Sequence, residues 1–539
     1  MIAAILKRTK TVLTALLLLL ATTQVWALSY DSEALVVLGN KESTFDEKQE
    51  AIKALAKSQE SYAVAVLKAL MNSDLFYDKK AGTLYIETQN GSFISVLSNE
   101  RYQGKKRNLK KVAINNSIRE QLSLIISIAD LSNHQASMDE RINEAYNLIG
   151  KVSFENTEPF MVLRDKAYGV NDEFATALNY VIATADLQSP DAKIRNGAMR
   201  ILEDFKSPVL IDKFEKIATS DEDLSNRAYA IKQVASLKSS QKFYSGVETL
   251  YFGISLGSVL VLAAIGLTIT FGVMGVINMA HGELMMIGAY TTYVMQQLLP
   301  STPGIALILS IPAAFIVAGC VGILIERVVI RHLYGRPLET LLATFGISLL
   351  LQQAVRSIFS ALNKNVVIPE FMAGSIKVNE FLTLTYNRLY IIFFSLLVFF
   401  ALVHFLKHST LGVQVRAVSQ NRAMARNMGV HSAKVNALTF GLGSAIAGLA
   451  GVALSQLTNV GPNLGQNYIV DSFLVVVFGG AGNIFGTLVA GMTLGIANKI
   501  VEPIYGAMLA KIIILVLVIL FIQKRPRGLF PQHGRQVED

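Results

Sequence analysis

Cysteine, tryptophan and charge are scarce in this 539-residue chain. Its one cysteine, Cys320, lies in an apolar run, which excludes a disulfide scaffold. Charged residues make up 17% of the chain against 52% hydrophobic. That is too little charge to cover a soluble globule of this length, so an ordinary cytosolic enzyme and a disordered protein are both excluded. No Gly-x-x-x-x-Gly-Lys-Ser/Thr phosphate loop occurs, so ATP, if used, is bound by another chain. No nucleophile elbow or metal-spaced cluster is present in the polar front half, and no catalytic residue, metal or cofactor is expected. The net charge of +9 fits either nucleic acid or the Lys/Arg excess that membrane proteins keep on the cytoplasmic side. The positions of the basic residues favour the second, and nucleic acid is not an expected partner.

Residues 1–27 read as a signal peptide: a basic start at Lys7, Arg8 and Lys10, an apolar centre from Val12 to Ala21, and Val25-Trp26-Ala27 as the cleavage site. The apolar centre is shorter than the ~20 residues that span a bilayer; a retained signal anchor is the alternative. Cleavage after Ala27 would remove the only tryptophan. Residues 28–245 read as a soluble, mainly helical periplasmic domain. Within it Asp191, Arg195, Ala198 and Leu202 recur 32 residues later as Asp223, Arg227, Ala230 and Val234. Either this is a small HEAT-type solenoid or two amphipathic helices align by chance. Thr83 to Leu97, with β-prone runs flanking Asn90-Gly91, predicts one β-hairpin.

From 246 to 531 the chain is greasy. Nine apolar runs, near 250–271, 281–299, 304–325, 338–359, 389–406, 435–456, 470–482, 484–500 and 508–522, predict an all-α polytopic membrane bundle of about nine spans, some short or broken. With the soluble half outside, nine crossings put the C-terminus and the tail over 532–539 in the cytoplasm. The basic loops at Arg327, Arg331 and Arg336 and at Lys407 to Lys434 then face inward, as the positive-inside rule requires. The localisation expected is the inner membrane.

Polar residues at membrane depth are costly and by default face a cavity, a partner or water. Phe271 to Glu283 packs Asn278, His281 and Glu283 beside Gly272, Gly275 and Gly282, glycines where backbone could unwind around a solute. An interfacial turn that only caps helices is the competing reading. Phe478 to Gly486, with Gly479, Gly480, Gly482 and Asn483, loosely echoes it, although such glycines also serve plain helix packing. Asp471 is placed at the outer interface, capping the seventh span. In the inner loop a short helix is expected over Ala423–Met428, ended by Gly429. It either lies on anionic lipid or docks on a cytoplasmic partner.

The stretches Asn278 to Glu283, Leu342-Ala-Thr344-Phe-Gly-Ile, Gly412 to Gly429, Phe478 to Asn483 and Arg525 to Phe530 resemble the permease subunits of branched-chain amino acid-type ABC importers. The resemblance covers residues 248–531. It implies cytoplasmic ATP-binding subunits, a second permease subunit and a periplasmic solute-binding protein as partners, beside membrane lipid. It also implies an ATPase-coupling loop at Arg416, Arg422, Ala425, Arg426 and Gly429; the acidic residue usual at its head is absent here. Asn278, His281, Glu283, Thr344, Ser348 and Asn483 are the translocation-pathway candidates. A secreted front half before the first span is similar to the urea-transport branch, which makes urea the expected solute. A branched-chain amino acid or short amide is the alternative within transport. A membrane sensor with an external ligand-binding domain, or an intramembrane hydrolase on His281 and Glu283, are the alternatives outside it.

Overall fold

The computed structural model describes residues 33–530 apart from 59–60, 89–90 and 134–135. The expected signal peptide (1–27) and cytoplasmic tail (532–539) lie outside these residues. Two compact units divide between Leu237 and Lys238.

The first unit opens with helices α1 (33–39), α2 (Phe45–Lys57) and α3 (Ser61–Met71). Thr44 and Glu47 form a reciprocal capping box that fixes where α2 starts. Strands β1 (Leu75–Asp78), β2 (Leu84–Glu87), β3 (Phe93–Ser95) and β4 (Leu109–Lys111) form an antiparallel sheet in the order β3-β2-β1-β4. The expected hairpin is β2–β3; Asn90 of its turn lies outside the described residues, and Gly91 has φ +70°. The single hairpin is corrected to a four-stranded sheet. β1 and β4 are too short to show alternation in sequence, and pairing decides them: β1 pairs with β2, and β4 with β1. Helices α4 (Asn116–Ser132), α5 (Met138–Leu148), α6 (Glu158–Ala167), α7 (Asp172–Asp186), α8 (Ala192–Ile201) and α9 (Pro208–Ser220) follow, then the start of α10 (Leu224–Met274). The repeated stretches start two equivalent helices. Asp191 accepts from the Lys193 N–H at 2.8 Å and Asp223 from the Ser225 N–H at 2.7 Å. Arg195 departs from the repeat: it pairs in fork geometry with Asp221, both bonds 2.7 Å, whereas Arg227 reaches only a backbone carbonyl.

The second unit contains the rest of α10, then α11 (His281–Leu298), α12 (Pro303–Val328) and α13 (Pro337–Phe359). A hairpin of β5 (Ser375–Asn379) and β6 (Leu382–Thr385), not expected from sequence, precedes α14 (Tyr386–His408). Then come α15 (Thr410–Gln420), α16 (Arg422–Asn427), α17 (Ser432–Ser455), α18 (Leu464–Gly479), α19 (Ile484–Tyr505) and α20 (Ala507–Lys524). Each of the nine apolar runs falls on a helix. Among the described residues seven helices are long and apolar enough to cross a membrane: α10, α12 with the turn after it, α13, α14, α17, α19 and α20. The other two fall short for different reasons. α11 carries His281, Glu283, Thr292 and Gln296 on its buried side. α18 has 16 residues, about 24 Å at 1.5 Å per residue, against a ~30 Å hydrocarbon layer.

α17 forms the centre, packed on α11 and α12, with almost every residue from Val435 to Ser455 buried. Small residues make this possible. A Cβ on Gly288 of α11 would sit 2.0 Å from the Gly448 carbonyl oxygen of α17, and one on Gly443 of α17 would sit 2.6 Å from that of Gly266. In lipid, such backbone approach gives dispersion contact that the hydrophobic effect no longer supplies.

Candidate translocation site

Helix α10 stops at Met274 because Gly275 adopts φ +66°, a conformation costly for residues with a Cβ. Residues 275–280 are non-helical, and α11 resumes at His281. Asn278, His281 and Glu283 are all buried at this break. The Asn278 Oδ1 accepts from the Ala280 N–H at 3.0 Å, while its Nδ2 finds no partner among the described residues. His281 Nε2 lies 2.8 Å from the Ala263 carbonyl oxygen, an arrangement that makes Nε2 the protonated nitrogen; Nδ1 has no partner among the described residues. Glu283 Oε1 accepts from Ser348 Oγ at 3.0 Å and from Gln352 Nε2 at 2.7 Å, and Oε2 has no partner among the described residues.

Helix α13 holds the break in place. The Met279 N–H donates to Thr344 Oγ1 at 3.1 Å, and Ser348 and Gln352 hold Glu283. Thr340, Thr344, Ser348 and Gln352 recur every four residues and form the buried stripe of α13. Leu338, Leu342, Leu349 and Leu350 are exposed on the same helix. A polar inside with an apolar outside is what a hydrocarbon surround selects. Gln352 was missed in sequence; the four-residue polar spacing was the signal for it. The outcome is a buried group with a free carboxylate oxygen, a free amide N–H donor and a free imidazole nitrogen.

Asn483 does not join this group. It caps α19, accepting from the Gly486 N–H at 3.0 Å and donating to the Phe530 carbonyl oxygen at 3.3 Å. The expected unwinding is corrected at Gly272, Gly282 and Gly479, which lie within helices. A Cβ on these would come within 2.5 Å of Gly482 Cα, the Gly465 oxygen and the Gly486 oxygen respectively, so they serve close packing. Gly480 and Gly482, with φ +100° and +86°, do sit at a break, between α18 and α19. Asp471 is corrected as well: it lies inside α18 rather than at its cap, paired with Lys511 at 3.0 Å.

The basic segment after α14 folds into α15 and α16. α16 starts at Arg422, one residue before the expected position, because Asn421 Oδ1 accepts from the Met424 N–H at 2.9 Å. Gly429 follows with φ +88°. Ala425 is buried against Val415, Val418 and Val435, while Arg416, Arg422 and Arg426 are exposed beside Met424 and Met428. Sequence reasoning missed what lies beneath. The Arg422 guanidinium sits 4.7 Å above the Tyr334 ring, and the Tyr334 hydroxyl donates to Glu326, buried at the end of α12. Burial, and then the bond to Glu326, push the Tyr334 phenol well above its usual range.

Residues 249–522 match the family described as branched-chain amino acid transport system, permease component. The chain belongs to that permease family. It is 32% identical over 299 residues to the high-affinity branched-chain amino acid transport system permease protein BraD of Pseudomonas aeruginosa, covering 53% of this chain and 96% of the relative. LivH of Escherichia coli, a permease protein of the same description, is 30% identical over 300 residues, covering 54% and 97%. The ribose import permease RbsC of Escherichia coli is 29% identical over 140 residues, 24% of this chain and 44% of the relative. No solved structure matches. The chain is thus a multi-pass inner-membrane permease component of an ABC-type importer, a transport subunit rather than an enzyme. Nearly half of it has no counterpart in BraD or LivH.

Proposed function

We propose that this permease forms, with a second permease subunit, a gated passage for a small polar solute. Cytoplasmic ATP-binding subunits press on the α15–Gly429 segment, and a periplasmic solute-binding protein delivers the solute. The buried polar group of Asn278, His281 and Glu283, held by Thr344, Ser348 and Gln352 at a break between two membrane helices, carries this reading. Broken helices near mid-membrane are a common way to offer free hydrogen-bonding groups to a transported solute. The orientation proposed has the front unit in the periplasm and the basic loops, Arg416, Arg422 and Arg426 among them, in the cytoplasm.

Urea is the solute we propose. The front unit, without counterpart in BraD or LivH, supports a branch distinct from those two relatives. Urea is neutral and planar, with donors for the Glu283 carboxylate and an acceptor for the Asn278 amide. The names of the relatives BraD and LivH favour a second solute, a branched-chain amino acid. Labelled urea uptake in a strain lacking the gene, with and without the chain and with excess leucine, separates the two. Restored urea uptake that leucine leaves unchanged is expected. Restored leucine uptake with no urea uptake would reassign the solute. A Gly429→Trp variant is expected to reach the membrane yet take up little. Full uptake by it would overturn the role given to the inner loop.

A further inference from the structure

A cavity of 330 Å³ opens where α10 and α14 end and α15 and α19 begin. It belongs neither to the Asn278–Glu283 group nor to the exposed face of α16. Its walls are mostly apolar, with Ile269, Val403, Leu406 and Phe485 among them; Thr268, Ser419 and Asn483 add polar atoms, and two lining residues are cations, Lys407 and Arg416. Among the described residues no carboxylate lines it. Among the described residues neither cation is in an ion pair: the Lys407 ammonium lies 5.9 Å above the Phe485 ring, and the Arg416 guanidinium donates to the Leu406 carbonyl oxygen. The fold builds this place deliberately. α15 turns back so tightly on the end of α14 that a Cβ on Gly412 would lie 2.0 Å from the Leu406 carbonyl oxygen.

A greasy cleft at the end of membrane helices, with two cations among its lining and no acid, has the polarity of one molecular class. Basic pockets between membrane helices attract lipid phosphates, and apolar walls hold acyl chains. We infer that this cavity binds an anionic phospholipid, its phosphate between Lys407 and Arg416 and an acyl chain along Val403, Leu406 and Phe485. Free phosphate would satisfy the cations but leave the apolar walls against water, which is why the lipid is favoured. The inference rests on the membrane-spanning fold and not on which solute is carried.

The full chain, purified in neutral detergent, is titrated with phosphatidylglycerol or phosphatidylcholine and bound lipid is counted by native mass spectrometry. Each cation near a membrane anion is worth about fivefold, so Lys407→Gln with Arg416→Gln is expected to weaken phosphatidylglycerol roughly thirtyfold. The charge-keeping pair Lys407→Arg with Arg416→Lys retains it, and so does Lys524→Gln, a basic residue outside the cavity. If the double variant fails to fold, Lys407→Gln alone on its exposed side chain gives about fivefold. Equal retention of the two lipids by the native chain overturns the inference, as does unchanged phosphatidylglycerol binding in the Gln variants. Displacement of the lipid by millimolar inorganic phosphate would make free phosphate the occupant and equally overturn it.

Discussion

The sharpest prediction concerns one methyl group at the centre of the bundle. In Gly288→Ala the new Cβ lies 2.0 Å from the Gly448 carbonyl oxygen, where ordinary contact begins at 3.4 Å. The backbones of α11 and α17 must therefore part by about 1.4 Å, and neither can swing aside as a side chain would. Overpacking of this kind costs about 1–3 kcal/mol, and a backbone opponent puts the cost at the upper end. The displacement also falls on the helix that carries Glu283. A shift of that size stretches the 2.7 Å bond from Gln352 past hydrogen-bond range. Gly346→Ala is the matched control: it lies in α13 with no atom within 4 Å of its added Cβ. There alanine gains about 0.5–1 kcal/mol of helix preference. Thermal unfolding of the full chain in detergent, followed by size exclusion, reads both variants. Gly288→Ala should melt several degrees below the native chain and take up less solute, and Gly346→Ala should melt at or slightly above it. Equal melting of Gly288→Ala and the native chain would refute glycine-mediated packing of α11 on α17.

Four further outcomes are expected. Glu283→Leu should cut uptake more than about tenfold and also lower the melting temperature, because it leaves the buried Ser348 hydroxyl and Gln352 amide without their acceptor, at about 1–3 kcal/mol each. Gln352→Leu, which leaves Ser348 on Glu283, should cost only about 0.6–1.7 kcal/mol and a few-fold in uptake; full uptake by Glu283→Leu would remove the break from the pathway. In the front unit, Arg195 holds the Asp221 carboxyl below its usual range. The stability this gives is complete above the ordinary carboxyl value of 3.8 and is lost as pH falls through the lowered folded value. Arg195→Gln should therefore weaken amide protection of α8 and α9 by about 3 kcal/mol at pH 6 and progressively less in acid below that value, read by hydrogen exchange corrected for intrinsic rate. Tyr334→Phe keeps the ring under Arg422 but deprives buried Glu326 of its donor. It should lower solute carried per ATP hydrolysed in the assembled transporter, and an unchanged ratio would detach Tyr334 from coupling.

Much of this molecule is written locally. The apolar runs, the capping box at Thr44 and the Asn421 cap act within a few residues, and local chemistry places the helices they start. Gly275 and Gly429 are likewise legible, since each ends a helix by its own backbone conformation. What sequence could not give depends on partners far along the chain. β1 becomes a strand only because it pairs with β2, and β4 only because it pairs with β1. Gly272 and Gly282 looked like breaks; the opposed glycines at 482 and 465 instead make them contacts. Asn483 looked like lining until its cap to Gly486 was in view.

The α13 stripe carries a broader consequence. In water, a helix with Leu338, Leu342, Leu349 and Leu350 on one side and Thr340, Thr344, Ser348 and Gln352 on the other would bury the leucines. Here the leucines are exposed and the polar stripe is buried. The reversal costs nothing on the lipid side, because leucine is at home in hydrocarbon, but the polar side chains must be matched inside. Ser348 and Gln352 are matched by Glu283 and Thr344 by the Met279 N–H, while Thr340 bonds back to the Leu333 and Arg336 carbonyl oxygens. A continuous α10–α11 helix would keep the Met279 N–H within its own ladder and leave Thr344 without that donor. The break and the stripe therefore require each other. A substitution that heals the break, such as Gly275→Ala, should be expressed and inserted yet lose uptake together with the protection of α13, and retention of both would separate the two features.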